Sequence, residues 1–154
     1  GIVCVPMSEQ RIKKIGIPKI KPINKGKKTT AFTVPVDSLD CHTGVSAKDR
    51  CLTIKKLCDD KATINDFLVP GHVFPLYGHK NGLRGRLGHT ESSLELMRLS
   101  GLKEVAVICE LQNTSVNCKD KGRFGEMMKG AEVENFAEKF NLKYIAIRDI
   151  CKQN

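Results

Sequence analysis

Val73-Phe74-Pro75-Leu76, a loop from Gly78 to Arg86, and then Thr90-Glu91-Ser92-Ser93-Leu94-Glu95-Leu96-Met97-Arg98-Leu99-Ser100-Gly101 form the stretch that decides the fold. The first piece is a short apolar run framed by Pro70-Gly71 and by the loop, which reads as a strand. In the last piece Leu94 and Met97 follow helical spacing, and Leu96 and Leu99 widen the apolar face. Glu91 complements the positive end of the helix dipole and Gly101 is the stop signal. Strand, loop and amphipathic helix in succession point to an α/β unit.

The same alternation extends in both directions. Ile2 to Met7 is β-rich, with a short helical possibility from Ser8. Ala31-Phe32-Thr33-Val34-Pro35-Val36 alternates as a strand does, and Pro35 assigns it to a sheet edge or a bulge. Ser46 is a good N-cap with Asp49 three residues on, and Leu52, Ile54, Leu57 and Cys58 supply an apolar stripe behind it. Downstream, Val105 to Cys109 reads as a buried strand, Glu132 to Phe140 as a helix and Tyr144 to Ile147 as a final strand. The expected fold class is α/β of the α+β type, a three-layer sandwich with a mixed sheet flanked by helices.

A chain of 154 residues with 40% hydrophobic and 28% charged residues suits a single domain over 1–154. No apolar run reaches the roughly 20 residues of a bilayer span and no signal-peptide pattern is present, so the expectation is no membrane and a cytoplasmic location. The seven cysteines, at 4, 41, 51, 58, 109, 118 and 151, lack paired spacing, which argues against a zinc site or a disulfide framework. The formal charge is +9, and eight Lys/Arg without an acid lie between Arg11 and Lys28, read here as a basic flexible loop over 11–28. No aromatic residue lies in that stretch for base stacking, so nucleic acid is disfavoured against a solvated loop or one that attracts a phosphorylated metabolite. No Gly-x-Gly-x-x-Gly or Gly-Lys-Ser/Thr loop is present, which disfavours nucleotide cofactors.

Arg86-Leu87-Gly88-His89-Thr90 runs into a helix start, where free N–H groups and the dipole favour an anion. Two readings stand: a phosphate cradle, and a helix capped by Thr90 beside a surface arginine. Thr43-Gly44-Val45-Ser46 has the same form, with Ser46 as a plain N-cap and Thr43 offering a hydroxyl. His89 presents a ring nitrogen for a metal or for proton transfer, His72 sits in a Pro-Gly-His turn that can face a cleft, and Glu110 lies at the end of a strand.

Five blocks in order then match a family: Thr30 to Thr33, Thr43 to Arg50, Pro70 to Leu76, Arg86 to Glu91, and Val107 to Glu110. The chain resembles the 3,4-dihydroxy-2-butanone 4-phosphate synthases of riboflavin biosynthesis, and Gly1 to Met7 looks like their cysteine-containing strand. The resemblance implies a lyase that converts D-ribulose 5-phosphate into formate and 3,4-dihydroxy-2-butanone 4-phosphate with Mg²⁺ or Mn²⁺, acting as a homodimer. It implies catalytic roles for His72 and Glu110 and substrate contacts from Arg86, Leu87, Gly88, His89, Thr90 and Thr43, with His89 also a metal ligand. The family's acidic Arg-Glu-x-Glu-x-Asp segment lies upstream of the Gly-Ile-Val-Cys strand, where this chain starts. The expectation is therefore an N-terminally incomplete chain, the alternative being a non-catalytic relative that acts as scaffold or regulatory subunit. Gln112 to Met128 departs from the family, with Asn113 to Cys118 in place of a shorter turn.

Overall fold

The computed structural model describes residues 1–23, 30–114 and 121–152. They fall into two compact units, Val3–Ile108, and Gly1–Ile2 with Cys109–Asn154. The larger unit carries β1 (Cys4–Met7), α1 (Glu9–Ile15), β2 (Val36–Ser38), α2 (Ala47–Cys58), β3 (Phe67–Tyr77) and α3 (His89–Leu99). The smaller carries α4 (Ala131–Lys139) and α5 (Ile147–Cys151).

β3 is the middle strand of a three-stranded sheet in the order β1-β3-β2. β1 runs parallel to it, with Cys4 opposite Phe74 and Met7 opposite Tyr77, and β2 runs antiparallel. The expected class, mixed α/β with helices around a mixed sheet, is the one observed. Val5, Met7, Val36, Phe67 and Val73 from the sheet meet Ile12 and Ile15 of α1 and Leu57 of α2 in one core. Full burial of each such side chain is worth roughly 1.5–3 kcal/mol.

α1 replaces the first part of the expected basic loop. Ser8 caps it by accepting the Arg11 N–H, Ile12 and Ile15 bury one face, and Gly16 ends it at φ 91. Arg11, Lys13 and Lys14 therefore belong to a helix whose apolar pair is hidden among charges. The side chain of Arg11 reaches the C-terminal end of α2, donating to the carbonyls of Leu57 and Asp59 and pairing with Asp60 at 2.9 Å. Part of the loop expectation, residues 24–29, lies outside the described residues.

Three other local expectations are corrected. Val105 to Cys109 is not a continuous strand: Val105 and Ile108 make isolated bridges to Met7 and Cys4, and Val107 is exposed. Among the described residues its bridges are to β1. Tyr144 to Ile147 is not a strand either. Tyr144 and Ile145 are exposed, and Ile147 opens α5. The cap of α3 is Gly88 rather than Thr90, which is buried within the first turn.

Candidate active site

The expected edge or bulge at Pro35 is where the most distinctive geometry arises. β2 begins at Val36, opposite Val73, and its next residue, Asp37, is opposite Leu68, so the register jumps between the two. Gly71 lies in the skipped part of β3, and its N–H donates to the Pro35 carbonyl at 2.8 Å. A Cβ on Gly71 would come within 2.1 Å of the Val36 carbonyl carbon and 2.2 Å of the Asp37 nitrogen. Only glycine permits this backbone approach.

The bulge delivers Asp37 to His72. The His72 backbone N–H donates to Asp37 Oδ1 at 2.9 Å, and Nδ1 of the ring is 2.6 Å from Oδ2. The carboxylate is an acceptor, so Nδ1 carries a proton, and in the neutral ring Nε2 keeps its lone pair. Asp37's side chain is 6% exposed and that of His72 is 50% exposed. A buried acid thus orients a half-exposed imidazole, an arrangement suited to general acid–base chemistry.

Gly44 closes over the other side of Asp37. It has φ 79, and a Cβ there would fall 2.0 Å from Asp37 Oδ2. Its loop is held from α2: Ser46 accepts the Asp49 N–H at 3.0 Å, as an N-cap should, and Asp49 Oδ2 accepts the Gly44 N–H at 3.1 Å. Burial pushes the Asp49 carboxyl up. The backbone N–H groups of His42, Gly44 and Thr43 and the Ser46 hydroxyl outweigh that and hold it below its ordinary value. Thr43 sits exposed on this braced loop.

A second cluster surrounds the start of α3. Glu91 is buried, its side chain 2% exposed, and it bonds in two directions: Oε2 pairs with Arg86 Nη1 at 2.7 Å, and Oε1 accepts the His79 N–H at 3.1 Å. Arg86 Nη2 donates to the Thr30 hydroxyl at 3.1 Å. Gly88 lies close against this pair, its Cβ position 2.4 Å from Arg86 Nη1. The expected phosphate arginine is therefore fixed in place, with part of its guanidinium engaged by Glu91 and Thr30. Leu87 and His89 are exposed beside it.

His89 is the first residue of α3. Among the described residues no group of three His, Cys, Asp or Glu side chains converges to hold a metal ion. One imidazole is a poor match to a hard cation that prefers several oxygen ligands, so these residues do not form a Mg²⁺ site by themselves. Glu110 lies in the smaller unit, exposed, where its Oε2 accepts the Ile2 N–H at 2.9 Å. Of the departing segment, residues 115–120 lie outside the described residues.

The structure adds two residues to the sequence-derived set, Asp37 and Glu91. Asp37 had a faint signal, an acid directly after the alternating run that ends at Val36. Glu91 was visible as a charge at a helix start and as the last residue of the Arg86-to-Glu91 block.

In this mixed-sheet α/β domain a buried carboxylate orients an imidazole on the middle strand beside a bulge, and a braced arginine stands before a helix, an arrangement suited to a small anion. The sequence profile of 3,4-dihydroxy-2-butanone 4-phosphate synthase matches residues 1–153, and the chain belongs to that family. It is 40% identical over 151 residues to the 3,4-dihydroxy-2-butanone 4-phosphate synthase of Wigglesworthia glossinidia brevipalpis, covering 97% of this chain and 67% of the relative. It is 39% identical over 150 residues to a riboflavin biosynthesis protein, RibBA, of Staphylococcus aureus strain N315, again over 97% of this chain but only 36% of that protein. A solved 3,4-dihydroxy-2-butanone 4-phosphate synthase in complex with two magnesium ions superposes with a TM-score of 0.82 at 34% identity, over 97% of this chain and 71% of that one. The chain thus spans between about a third and two-thirds of the length of these curated relatives.

Proposed function

We propose that this chain carries the catalytic domain of a lyase that converts D-ribulose 5-phosphate into 3,4-dihydroxy-2-butanone 4-phosphate and formate, a step of riboflavin biosynthesis. The family match over residues 1–153 carries this reading, and the His72–Asp37 pair gives it a chemical centre. The atoms balance without another reactant: the five-carbon phosphate divides into a four-carbon phosphate and a one-carbon acid.

Such a rearrangement begins with removal of a proton next to the sugar carbonyl. His72 Nε2 is the group for that transfer, with Asp37 holding the ring and stabilising the imidazolium that forms. Arg86, Leu87, Gly88, His89 and Thr90 hold the substrate, with Arg86 and the first N–H groups of α3 facing its phosphate. Thr43 contributes a hydroxyl from its braced loop, and Glu110 is the second catalytic group. A divalent cation, Mg²⁺ or Mn²⁺, would stabilise enediolate charge when bound. His89 is the ligand proposed from this chain, and a hard cation would need oxygen ligands beside it. We place the working protein in the cytoplasm as a homodimer.

The test is a formate-coupled assay on D-ribulose 5-phosphate with saturating Mg²⁺. The expected result is turnover that His72→Gln and Arg86→Ala each reduce at least about 100-fold. The non-catalytic alternative, a scaffold or regulatory subunit, draws on the lone imidazole at His89. A folded chain that binds the sugar phosphate and releases no formate would support it.

A further inference from the structure

Asp37 is fixed by more than the bulge, because the backbone on either side of it is tied to one face of α2. Ser38, the next residue of β2, donates its N–H to Thr53 Oγ1 at 2.9 Å. Gly44, which closes over the carboxylate, donates its N–H to Asp49 Oδ2 at 3.1 Å. Asp49 and Thr53 are four residues apart, so they project from the same side of the helix. Both are buried, at 7% and 0% exposure. Cys41 links the two anchors: its thiol donates to the Asp49 carbonyl at 3.1 Å and lies 3.3 Å from Thr53 Oγ1.

These anchors leave the carboxylate little freedom. The Cβ position of Gly44 is 2.0 Å from Asp37 Oδ2, so the loop backbone packs directly on the oxygen that faces the His72 ring. Thr53 fixes the strand next to the Asp37 Cα. Held between these two points, Asp37 meets the His72 backbone N–H with one oxygen and Nδ1 with the other. A reacting group stays within about 0.5 Å of its productive geometry only when the residues behind it are locked in this way. We infer that Asp49 and Thr53 are positioning residues for the acid–base centre, holding Asp37 against His72 through Gly44 and Ser38. The effect on rate rests on the lyase reading proposed above, whereas the effect on the His72 ring is readable without turnover.

The test is a double-mutant cycle on the full chain, with Asp49→Asn and Thr53→Val each made alone and together with Asp37→Asn. Two quantities are read: kcat for formate release from D-ribulose 5-phosphate, and the His72 tautomer by ¹⁵N NMR without substrate. Each single change is expected to lower kcat roughly tenfold and to move part of the ring population from Nδ1–H to Nε2–H. With Asp37→Asn present, neither change should lower kcat further, because residues that act through one partner are not additive. Thr53→Ser keeps the hydroxyl and should restore both quantities. Leu57→Ala, one turn further along α2, weakens the fold without reaching either anchor and should leave both at their wild-type values. A wild-type tautomer in Asp49→Asn and Thr53→Val overturns the inference, and Asp49→Asn decides alone if Thr53→Val does not fold. A fall in kcat as large with Asp37→Asn as without it overturns it too, since the two residues would then act by another route. Absence of formate from the wild type sinks the lyase reading instead, and the ring still reports on Asp49 and Thr53.

Discussion

Replacing Asp37 by Asn keeps the size of the side chain and changes only what it offers His72. The amide oxygen can still accept the His72 backbone N–H, as Oδ1 does now at 2.9 Å. Its NH₂ group then faces Nδ1, 2.6 Å away in the native pair, and two donors cannot share that space. The ring must move its proton to Nε2 or rotate, and either change removes the lone pair from the accessible nitrogen. A hydrogen bond to a charged group is worth about 1.5–3 kcal/mol, which corresponds to a fall of roughly 10- to 150-fold in kcat, with KM little changed. ¹⁵N NMR of the imidazole should report the Nδ1–H tautomer in the wild type and its loss in Asp37→Asn, beside steady-state rates of formate release. Wild-type kcat in a variant whose tautomer has switched would refute the positioning role. An Nε2–H tautomer in the wild type would refute the geometry itself.

Other perturbations act on the frame. Gly71→Ala drives a methyl into the backbone of Val36 and Asp37 and should destabilise the domain by about 3 kcal/mol or more, read from urea unfolding. Leu57→Ala empties a fully buried position and should cost about 2–5 kcal/mol in the same measurement without altering the His72 tautomer. Glu91→Ala leaves the Arg86 guanidinium without its buried partner; because Arg86 is itself partly exposed, the expected loss is about 2 kcal/mol, accompanied by a raised KM for the sugar phosphate. Asp49 has its carboxyl depressed in the folded state, so its contribution is complete above the ordinary carboxylate value near 4 and disappears as pH falls through the lower folded value. Asp49→Asn should therefore flatten part of the acid limb of a stability–pH curve below about pH 4, and an unchanged limb would remove Asp49 from the account.

The elements most legible in the sequence were those whose signals are local. Ser46 and the stripe behind it specify α2, and Leu94, Met97 and Gly101 specify α3, because a cap and a periodic face are written within one helix. Val105 to Cys109 misled because an apolar run does not tell how many neighbours it will have, and among the described residues it pairs through isolated bridges to β1. α1 was partly concealed because two isoleucines among basic residues make a short stripe that charge counting obscures.

The site divides in the same way. His72, Arg86 and His89 stand in contiguous motifs, so the family resemblance reaches them directly. Asp37 is 35 positions from His72 in the chain and meets it only because a bulge and a glycine skip part of β3. Glu91 likewise gains its meaning from Arg86 and from the His79 N–H, which a linear reading does not bring together.

We propose above all that this chain divides a five-carbon sugar phosphate into four-carbon and one-carbon products. Uniformly ¹³C-labelled D-ribulose 5-phosphate, incubated with the full chain and Mg²⁺ and followed by ¹³C and ³¹P NMR, tests it most directly. Formate and 3,4-dihydroxy-2-butanone 4-phosphate are expected in equal amounts, with the yield lost in His72→Gln. Intact substrate after prolonged incubation with a folded chain, or products that persist undiminished in His72→Gln, would contradict it.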